Sequence, residues 1–248
     1  MLVDIHNHIL PGLDDGPQSM EEAILLARNA VANGVTHIIA TPHYDEIYKN
    51  DQQKVKESLF NFNREISHEG IPLKILLGQE IRFFNNMVDE IDNGLLTLAN
   101  SGMYILIELP WNHFPTYIFD VLVQLQLKGY KPIIAHPERN IILRKDKQLL
   151  LELVNKGTLF QITAASLLGI NGFSLKKYTH ALIKRDLVHF IASDAHHYQS
   201  RPFLLKEAYQ LVRKKYSIEL ESYFIDNAKH VVLGKEFQSF PPISIKNS

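Results

Sequence analysis

The sequence lacks cysteine entirely among its 248 residues. This absence excludes disulfide bonds, thiolate metal sites and any mechanism that uses a cysteine nucleophile. No sign of charge dominates either, because 26 Lys and Arg residues stand against 27 Asp and Glu residues. Such a balance disfavours binding to nucleic acid through a broadly positive surface.

Long hydrophobic runs are also missing. No apolar stretch approaches the roughly 18 residues that a membrane span requires. The first residues, MLVDIHNHILPG, do not show a basic segment followed by an apolar one. We therefore expect neither membrane insertion nor a secretory signal, and a cytoplasmic location is the default expectation.

Short apolar, β-branched runs alternate along the chain with amphipathic stretches of helical periodicity. This alternation is typical of an α/β fold in which helices cover a parallel sheet. A hydrophobic content of 46% over this length suits one large core. We predict about seven such units, with strands at residues 2–6, 36–41, 73–78, 104–108, 132–136, 158–163 and 187–193.

Capping signals mark the ends of several predicted helices. Ser19 followed by Glu22 fits a capping box, and Gly34 fits the left-handed position after the first helix. No linker or repeat divides the chain, so residues 1–236 are predicted to form a single domain. The stretch 237–248, which contains two prolines and no periodicity, is predicted to be a loosely ordered tail.

Side chains that can bind metal recur at or just beyond the C-terminal ends of the predicted strands. In a barrel of parallel strands these ends point to one face, where barrel enzymes build their active sites. Asp15, in the loop after the first strand, could reach the same mouth. The residues at the strand ends are His6, His8, His43, Glu80, Glu108, His136, Asp194 and His196.

Each of these residues also has a structural explanation when it is taken singly. A His-x-His pair places alternate side chains on one face of a strand, which suits chelation but also occurs by chance. A carboxylate at a strand end is often an ion-pair partner or a helix cap. Chance does not readily place about eight ligand-type residues at one end of six strands. The joint pattern therefore predicts a metal site.

Residues outside this set carry further expectations. We expect His37 and His189, which lie inside strand runs, to be packed, and His180, on a helical stretch, to be solvated. Asp4 and Glu138 are interpreted as partners that orient the imidazole rings of metal ligands.

The motifs, in their order along the chain, resemble those of the polymerase and histidinol phosphatase superfamily. They are HNH, TPH, GQE, the Glu that closes YILIE, AHPER and SDAH, and they span nearly the whole sequence. The combination of DIHNHILPGLDDGP, GQEIR, LQLKGYKPIIAHPERN and SDAHH is similar, more narrowly, to the metal-dependent tyrosine-protein phosphatases encoded with capsular and exopolysaccharide genes. Each motif alone is weak, but their order and spacing together are specific.

This resemblance implies a distorted (β/α)7 TIM-like barrel that holds three divalent metal ions. Manganese is the expected metal, with iron and zinc as alternatives. Glu80 is the expected bridging carboxylate, and Arg139 and Arg201 match arginines that grip phosphate in the resembling family. No expected ligand position is substituted. Carried over by position, the metal ligands would be His6, His8, Asp15, His43, Glu80, Glu108, His136, Asp194 and His196.

The chemistry of these residue types is consistent with that implication. Imidazole and carboxylate ligands without thiolate suit Mn, Fe or Zn more than a dedicated calcium site. Three divalent ions would bring about six positive charges against four carboxylates, which suits a phosphate monoester dianion. The predicted mechanism is in-line attack on phosphorus by a metal-bridging hydroxide, because metal coordination lowers the pKa of bound water.

By resemblance, the substrate would be the tyrosine-phosphorylated tail of a bacterial kinase that regulates capsular or exopolysaccharide synthesis. Aromatic residues near the predicted mouth could flank a phosphotyrosine ring by stacking. Structural packing explains these residues equally well. They are Tyr44, Tyr48, Trp111 and Phe114.

Three other functions stay open. A small-molecule phosphatase, such as a histidinol phosphatase, could share the metal ligands and differ in its pocket loops. A nuclease is disfavoured by the balanced charge and the lack of a basic tract. A metal-stabilised module that binds a kinase without turnover would be marked by substituted ligands, and none is substituted here.

Overall fold

The computed structural model describes residues 1–243, and residues 244–248 lie outside the described part. Strands and helices alternate along the chain. The strands are β1 (Val3–Asp4), β2 (His37–Ala40), β3 (His43–Tyr44), β4 (Lys74–Leu77), β5 (Glu80–Arg82), β6 (Tyr104–Glu108), β7 (Lys131–Ala135), β8 (Leu159–Thr163) and β9 (Phe190–Ala192). The helices are α1 (Met20–Ala32), α2 (Gln52–His68), α3 (Met87–Asp92), α4 (Ile118–Leu127), α5 (Ile141–Lys145), α6 (Lys147–Asn155), α7 (Ala164–Leu168), α8 (Phe173–Ile183), α9 (Leu205–Lys215) and α10 (Ile218–Leu233).

All the pairings between these strands are parallel. One sheet has the order β1-β2-β4, and the other has the order β3-β5-β6-β7-β8-β9. Strand β3 begins three residues after β2 ends, and β5 begins three residues after β4 ends. Each of these two pairs is therefore one interrupted strand. Seven strand positions follow one another in chain order, as the sequence predicts.

Backbone hydrogen bonds join the first and the last strand positions. The Asp194 N–H donates to the His6 carbonyl at 2.9 Å, and the His8 N–H donates to the Ala195 carbonyl at 2.8 Å. These bonds lie just beyond the ends of β1 and β9, where Asn7 and Ala195 form a parallel bridge. The predicted fold class, an α/β barrel of seven units in a single domain, is confirmed, and its distortion lies in the two interrupted strands.

Apolar side chains fill both the inside of the barrel and the layer between strands and helices. Successive residues of a strand point to opposite faces. In β6, Tyr104 and Leu106 accordingly belong to the inner apolar cluster, whereas Ile105 and Ile107 belong to the outer one. All four side chains are fully buried. The helical layer is thus held by one face of each strand, and the other face closes the barrel interior.

Helix α1 begins where its capping signal predicts. The Ser19 hydroxyl accepts a hydrogen bond from the Glu22 N–H at 3.2 Å, and the Glu22 carboxylate accepts one from the Gln18 N–H at 2.7 Å. Gly34 follows the helix with φ +80°, the left-handed conformation expected there. The helix buries the apolar face formed by Ala23, Leu26, Ala27 and Ala30.

Several predicted boundaries are wrong by a few residues. Strand β7 ends at Ala135, because His136 adopts φ +31°, which no strand residue has. The predicted strand 187–193 is reduced to the three residues of β9. Strands β3 and β5 were not predicted, because residues 43–44 and 80–82 lie outside the predicted strands.

The chain after helix α10 has no regular structure up to residue 243. Phe237 nevertheless packs against Phe190 in an edge-on contact, with 5.4 Å between ring centroids. The domain boundary after residue 236 stays a prediction, and the part of the predicted tail at 244–248 lies outside the described residues. Within residues 1–243, no helix is long and apolar enough to cross a membrane.

Candidate metal centre

The structure brings all the predicted ligand positions to the C-terminal mouth of the barrel. Each position except Asp15 lies on a strand or shortly after one, so the barrel backbone directs its side chain toward the mouth. Asp15 reaches the same place from the loop between β1 and α1. The others are His6 and His8 after β1, His43 in β3, Glu80 in β5, Glu108 in β6, His136 after β7, and Asp194 and His196 after β9.

These side chains form overlapping groups whose donor atoms lie within 4.8 Å of one another. Because the groups share members, they form one continuous cluster that could hold more than one metal ion. Together they contain all nine predicted positions, whose roles as ligands stay predictions. The groups are His8, Asp15, His43 and His196; His6, His8 and Asp194; His6, Glu80 and His136; and His43, Glu80 and Glu108.

Glu80 lies at the centre of the cluster. Its Oε2 is 3.3 Å from His6 Nε2, 3.4 Å from His8 Nε2 and 3.0 Å from His43 Nδ1. Its Oε1 is 3.0 Å from His136 Nε2. The carboxylate is fully buried, and Oε2 has no hydrogen-bond donor in the described structure. A buried carboxylate oxygen among ring nitrogens could coordinate a metal ion, and the role of Glu80 as a bridging ligand stays a prediction.

Hydrogen bonds on the far side of the rings determine which nitrogens of His6 and His8 face the cluster. The Gln161 side chain donates from Nε2 to the Ile162 carbonyl, so its Oε1 accepts from His6 Nδ1 at 2.7 Å. Asp14 Oδ2 accepts from His8 Nδ1 at 2.6 Å. In the neutral rings both Nε2 atoms are then left with lone pairs, and these atoms are only 3.3 Å apart.

Lone pairs that face one another beside a carboxylate repel, and positive charge between them relieves the repulsion. Protonation of the rings supplies such charge, and so does a divalent ion coordinated by both Nε2 atoms. A carboxylate or amide that holds the remote ring nitrogen is a usual feature of metal-binding histidine. The donor set therefore fits a divalent metal.

The carboxylates of the cluster differ in their proton affinity. Burial raises the pKa of Glu80, but the charges of His6 and His43 outweigh burial and hold it well below its ordinary range. Burial also raises the pKa of Asp194, and Arg139 and His6 again reverse the effect. For Glu108, burial and the neighbouring Glu80 charge together raise the pKa. Glu80 and Asp194 are thus held in the ionised form that metal coordination requires.

The two arginines predicted to bind phosphate converge on one oxygen atom. Arg139 Nη1 lies 2.6 Å from Asp194 Oδ2, and Arg201 Nη2 lies 2.8 Å from the same oxygen. Arg201 Nη1 also lies 3.8 Å from Asp15. Both guanidinium groups line the cavity that contains the cluster. They are placed to meet an anion there, and their role as phosphate ligands stays a prediction.

Two members of the cluster have unusual backbone conformations. His136 has φ +31° and Asp194 has φ +54°, a region that residues other than glycine seldom occupy. His136 follows β7 directly, and Asp194 lies two residues after the end of β9. Such conformations cost on the order of 1–3 kcal/mol and concentrate at functional sites.

The mouth opens into a cavity of about 220 Å³. Tyr48 and Trp111 line it beside the cluster. The Tyr48 ring is nearly parallel to the His43 ring, with 6.0 Å between centroids, and Trp111 donates from Nε1 to Glu108 at 3.2 Å. Two other aromatic residues were predicted near the mouth. Tyr44 lines a neighbouring groove, and Phe114 packs against Phe119 and lines neither the cavity nor the groove.

Comparison with known proteins assigns the chain to a family. A family model described as capsular polysaccharide synthesis, CpsB/CapC, matches residues 2–233. The chain belongs to the CpsB/CapC family. The tyrosine-protein phosphatase YwqE of Bacillus subtilis is 41% identical over 99% of this chain and 97% of its own length. The putative tyrosine-protein phosphatase CapC of Staphylococcus aureus is 43% identical over 97% and 95% of the two chains.

Solved structures agree with this assignment. A structure of YwqE, described together with CpsB of Streptococcus pneumoniae as unique metal-dependent tyrosine phosphatases, superposes with a TM-score of 0.96. The superposition covers 99% of this chain and 100% of that one at 41% identity. A mutant organophosphorus hydrolase from Deinococcus radiodurans, with a TM-score of 0.59 and 14% identity, shares the fold alone. The predicted kinship with capsule-associated tyrosine phosphatases is confirmed.

Some contributors to the site in this CpsB/CapC chain were not predicted. Asp14, adjacent to the predicted ligand Asp15, holds His8 and accepts from the His43 N–H at 2.9 Å. Gln161 lies on β8, a strand at which no metal ligand was predicted. Arg82 lies 3.3 Å from Glu108 and lines the cavity. The sequence contains two signals that could have indicated these residues: the pair of aspartates in the loop, and the polar residues within otherwise apolar strands.

Three expectations about neighbouring residues are wrong. Asp4 accepts hydrogen bonds from the Ser193 N–H and hydroxyl and from Asn7, not from an imidazole. Glu138 accepts from the N–H and hydroxyl of Thr163. Both carboxylates therefore stabilise the backbone around the strand ends. His180 is buried rather than solvated, and its Nδ1 lies 2.6 Å from the Tyr216 hydroxyl.

Proposed function

We propose that this protein is a metal-dependent protein-tyrosine phosphatase that hydrolyses phosphotyrosine on a bacterial tyrosine kinase controlling capsular or exopolysaccharide synthesis. The observation that carries the proposal is the continuous cluster of five imidazoles and four carboxylates, with two guanidinium groups at its edge. The names of the full-length relatives support the same reaction.

The nine cluster residues would hold the metal, and we propose three ions, with manganese as the first choice and iron or zinc as alternatives. The absence of cysteine and the mixture of imidazole and carboxylate donors support these metals. Bound there, the ions would lower the pKa of coordinated water and neutralise charge on the phosphoryl oxygens. Glu80 is the proposed shared ligand, because it alone contacts four imidazoles.

Arg139 and Arg201 would orient the phosphate and stabilise its charge. A guanidinium presents two parallel N–H groups that match two oxygens of a phosphate. Both groups are held in the cavity by Asp194, so little side-chain entropy remains to be lost when an anion binds. Tyr48 and Trp111, on the wall of the same cavity, are placed to flank the phenyl ring of the substrate.

We also propose a partner, a cellular location and domain bounds for this enzyme. The partner is the phosphorylated tail of the kinase, and the location is the cytoplasm. The catalytic domain comprises residues 1–236, followed by a tail. The metal centre depends on residues from His6 to His196, so all seven barrel units are expected to be required for activity.

The first experiment compares kcat/KM of metal-reconstituted protein on a phosphotyrosyl peptide and on histidinol phosphate, with and without chelator. We expect a chelator-sensitive preference for the peptide. A preference for histidinol phosphate would move the function to small-molecule phosphate hydrolysis and keep the metal centre. Inactivity on both substrates, with retained peptide binding, would favour a binding module.

A further inference from the structure

A second cavity lies on the side of the barrel, between helices α5, α6 and α8. Its volume is about 490 Å³. Cationic side chains dominate its polar lining, and no Asp or Glu of residues 1–243 lines it. The five cations are Arg144, Lys145, Lys147, Lys177 and Arg185.

None of the five cations forms an ion pair with any residue of the described chain, whereas other surface cations, such as Arg28, Lys156 and Arg213, do so. Arg144 is held in place by a hydrogen bond to the Ser174 hydroxyl at 3.2 Å. Arg185 donates from Nη1 to the Ala181 carbonyl at 3.0 Å. An uncompensated positive cavity with two fixed guanidinium groups is suited to an anion.

The floor of this basic cavity is apolar. Leu150, Leu182 and Leu187 line it and are almost completely buried. Tyr178 adds a ring, over which the Arg144 guanidinium lies at 5.8 Å from the centroid. A flat apolar group would contact this floor, while an attached phosphate would meet the cations. An aromatic ring that carries a phosphate satisfies both halves of the cavity.

The basic cavity is connected to the metal cavity by a surface groove of about 1040 Å³. Arg82 and Trp111 line both the metal cavity and the groove, and Ile141 lines both the groove and the basic cavity. Exposed apolar side chains border the path, with Ile47 81%, Trp111 54% and Ile141 43% exposed. A partly apolar groove between two cavities that are lined by cations suits an extended peptide.

We propose that the basic cavity binds a second phosphotyrosine of the same peptide whose first phosphotyrosine occupies the metal centre. This inference rests on the proposed function. Arg139 of the metal cavity and Arg144 of the basic cavity are five residues apart, so their Cα atoms lie within about 18 Å. An extended peptide covers this distance with up to about five residues. The substrate class is therefore a peptide with two closely spaced phosphotyrosines.

The experiment uses peptides that carry one phosphotyrosine, or two phosphotyrosines separated by two, four or ten residues. For the wild-type protein we expect kcat/KM to rise about tenfold or more for the four-residue spacing, as bivalent binding raises effective concentration. The double variant Lys147→Glu with Lys177→Glu should lose this gain. Neither residue touches the metal centre, so turnover of a small aryl phosphate should not change.

The matched control is Lys214→Glu with Lys235→Glu, which reverses the same number of charges on exposed residues that line none of the three cavities. The control should keep the full preference. Equal rates on all peptides, or a preference that survives the double variant, would overturn the proposal. So would an equal gain from a glutamate in place of the second phosphotyrosine, because the cavity would then not select a phosphorylated ring.

Failure of the proposed function is distinguishable from failure of this inference. If no phosphate ester is hydrolysed, fluorescence anisotropy with non-hydrolysable phosphonate peptides still measures the binding gain from the second group. A gain that depends on Lys147 and Lys177 supports the basic cavity without any turnover, and its absence refutes the cavity even in an active enzyme.

Discussion

In the mouth of the barrel, the role of each residue depends on which atoms its side chain faces. Glu80 places one carboxylate among four imidazoles, and the rings of His6 and His8 direct lone pairs toward each other. In a buried site these arrangements are strongly unfavourable without positive charge. Individual substitutions should therefore separate residues that hold the metal from residues that orient its ligands or bind the substrate.

Glu80→Gln should abolish metal binding at the centre of the cluster, because it removes the shared charge while keeping the side-chain shape. We expect kcat/KM to fall by more than about 100-fold, beyond the loss that is usual for residues that only orient ligands. Metal content by mass spectrometry and phosphatase activity should fall together. Glu57→Gln, at an exposed acidic residue that lines none of the three cavities, serves as the control. Wild-type metal content in Glu80→Gln would refute the centre as described.

Gln161→Leu should weaken metal binding without removing any ligand. Its Oε1 is the acceptor that keeps the proton of His6 on Nδ1. Loss of such an orienting partner typically costs about 10–100-fold in metal affinity. Titration of the metal-free protein measures the effect. Equal affinity in Gln161→Leu and the wild type would mean that the hydrogen bond is irrelevant to the metal.

Arg139→Ala should keep the metal and lose phosphate affinity and transition-state stabilisation together. Because a charge-assisted hydrogen bond is lost, kcat/KM is expected to decrease by about 10–100-fold. Inorganic phosphate should also inhibit the variant more weakly. Arg139→Lys should recover part of the loss, since it restores charge but not the planar fork. A parallel loss of metal would show that Arg139 acts mainly on Asp194.

Two elements of the fold, the interrupted strands β2–β3 and β4–β5, bring His43 and Glu80 to the cluster. The interruption after β4 contains Gly78, and a Cβ atom at this position would meet Ile39 Cγ2 at 2.7 Å and the Ala40 carbonyl at 3.2 Å. The close approach of the two strands thus requires glycine. The side chain that follows two residues later is Glu80, so packing at this break positions a predicted ligand.

Gly78→Ala should therefore affect both stability and the metal centre. Overpacking of this kind costs about 1–3 kcal/mol, and urea denaturation of the metal-free protein should show it. Metal affinity should decrease as well, since Glu80 follows the strained segment. The double variant with Ile39→Ala should be less destabilised than the sum of the two single variants, because the conflicting methyl group is removed. Additive losses in the double variant would contradict the contact described.

At the scale of the whole molecule, the end of the barrel away from the mouth contains a buried histidine between strands and helix α10. Burial lowers the pKa of His189 to about 3. Its Nδ1 accepts a hydrogen bond from the Phe160 N–H at 3.0 Å, and its carbonyl accepts one from Asn227. The native state therefore keeps this ring neutral at pH values where an exposed histidine takes up a proton.

This difference predicts a pH dependence of folding stability. Because the folded pKa lies below the unfolded value of 6.5, the unfolded chain binds the proton first as the pH falls. The contribution of His189 to stability is full above about pH 6.5 and decreases toward pH 3 by about 1.4 kcal/mol per pH unit. His189→Asn, which keeps an acceptor for Phe160, should show a shallower decrease in urea denaturation than the wild type. His68→Asn, at an exposed histidine, should show the same decrease as the wild type. Equal slopes in all three proteins would contradict the assignment of this pH dependence to His189.

Much of the fold and of the site could be predicted from local pattern. Apolar runs of strand length and their polar ends are encoded in neighbouring residues, so β6 is predicted with its observed bounds, and His6 and His136 are placed at strand ends. The predicted boundaries of β7 and β9 were less accurate, because the backbone turns there in response to tertiary contacts rather than to intrinsic propensity.

The sequence by itself determined the order of barrel units and the identity of the side chains at their mouth, since both depend on residues close together in the chain. Only the tertiary structure decided which atoms oppose one another: Glu80 at the centre, Asp14 rather than Asp4 behind an imidazole, and Arg139 with Arg201 on one carboxylate. The basic cavity likewise exists only because helices α5, α6 and α8 pack together. These features depend on distances between segments far apart in sequence, and closure of the barrel sets those distances.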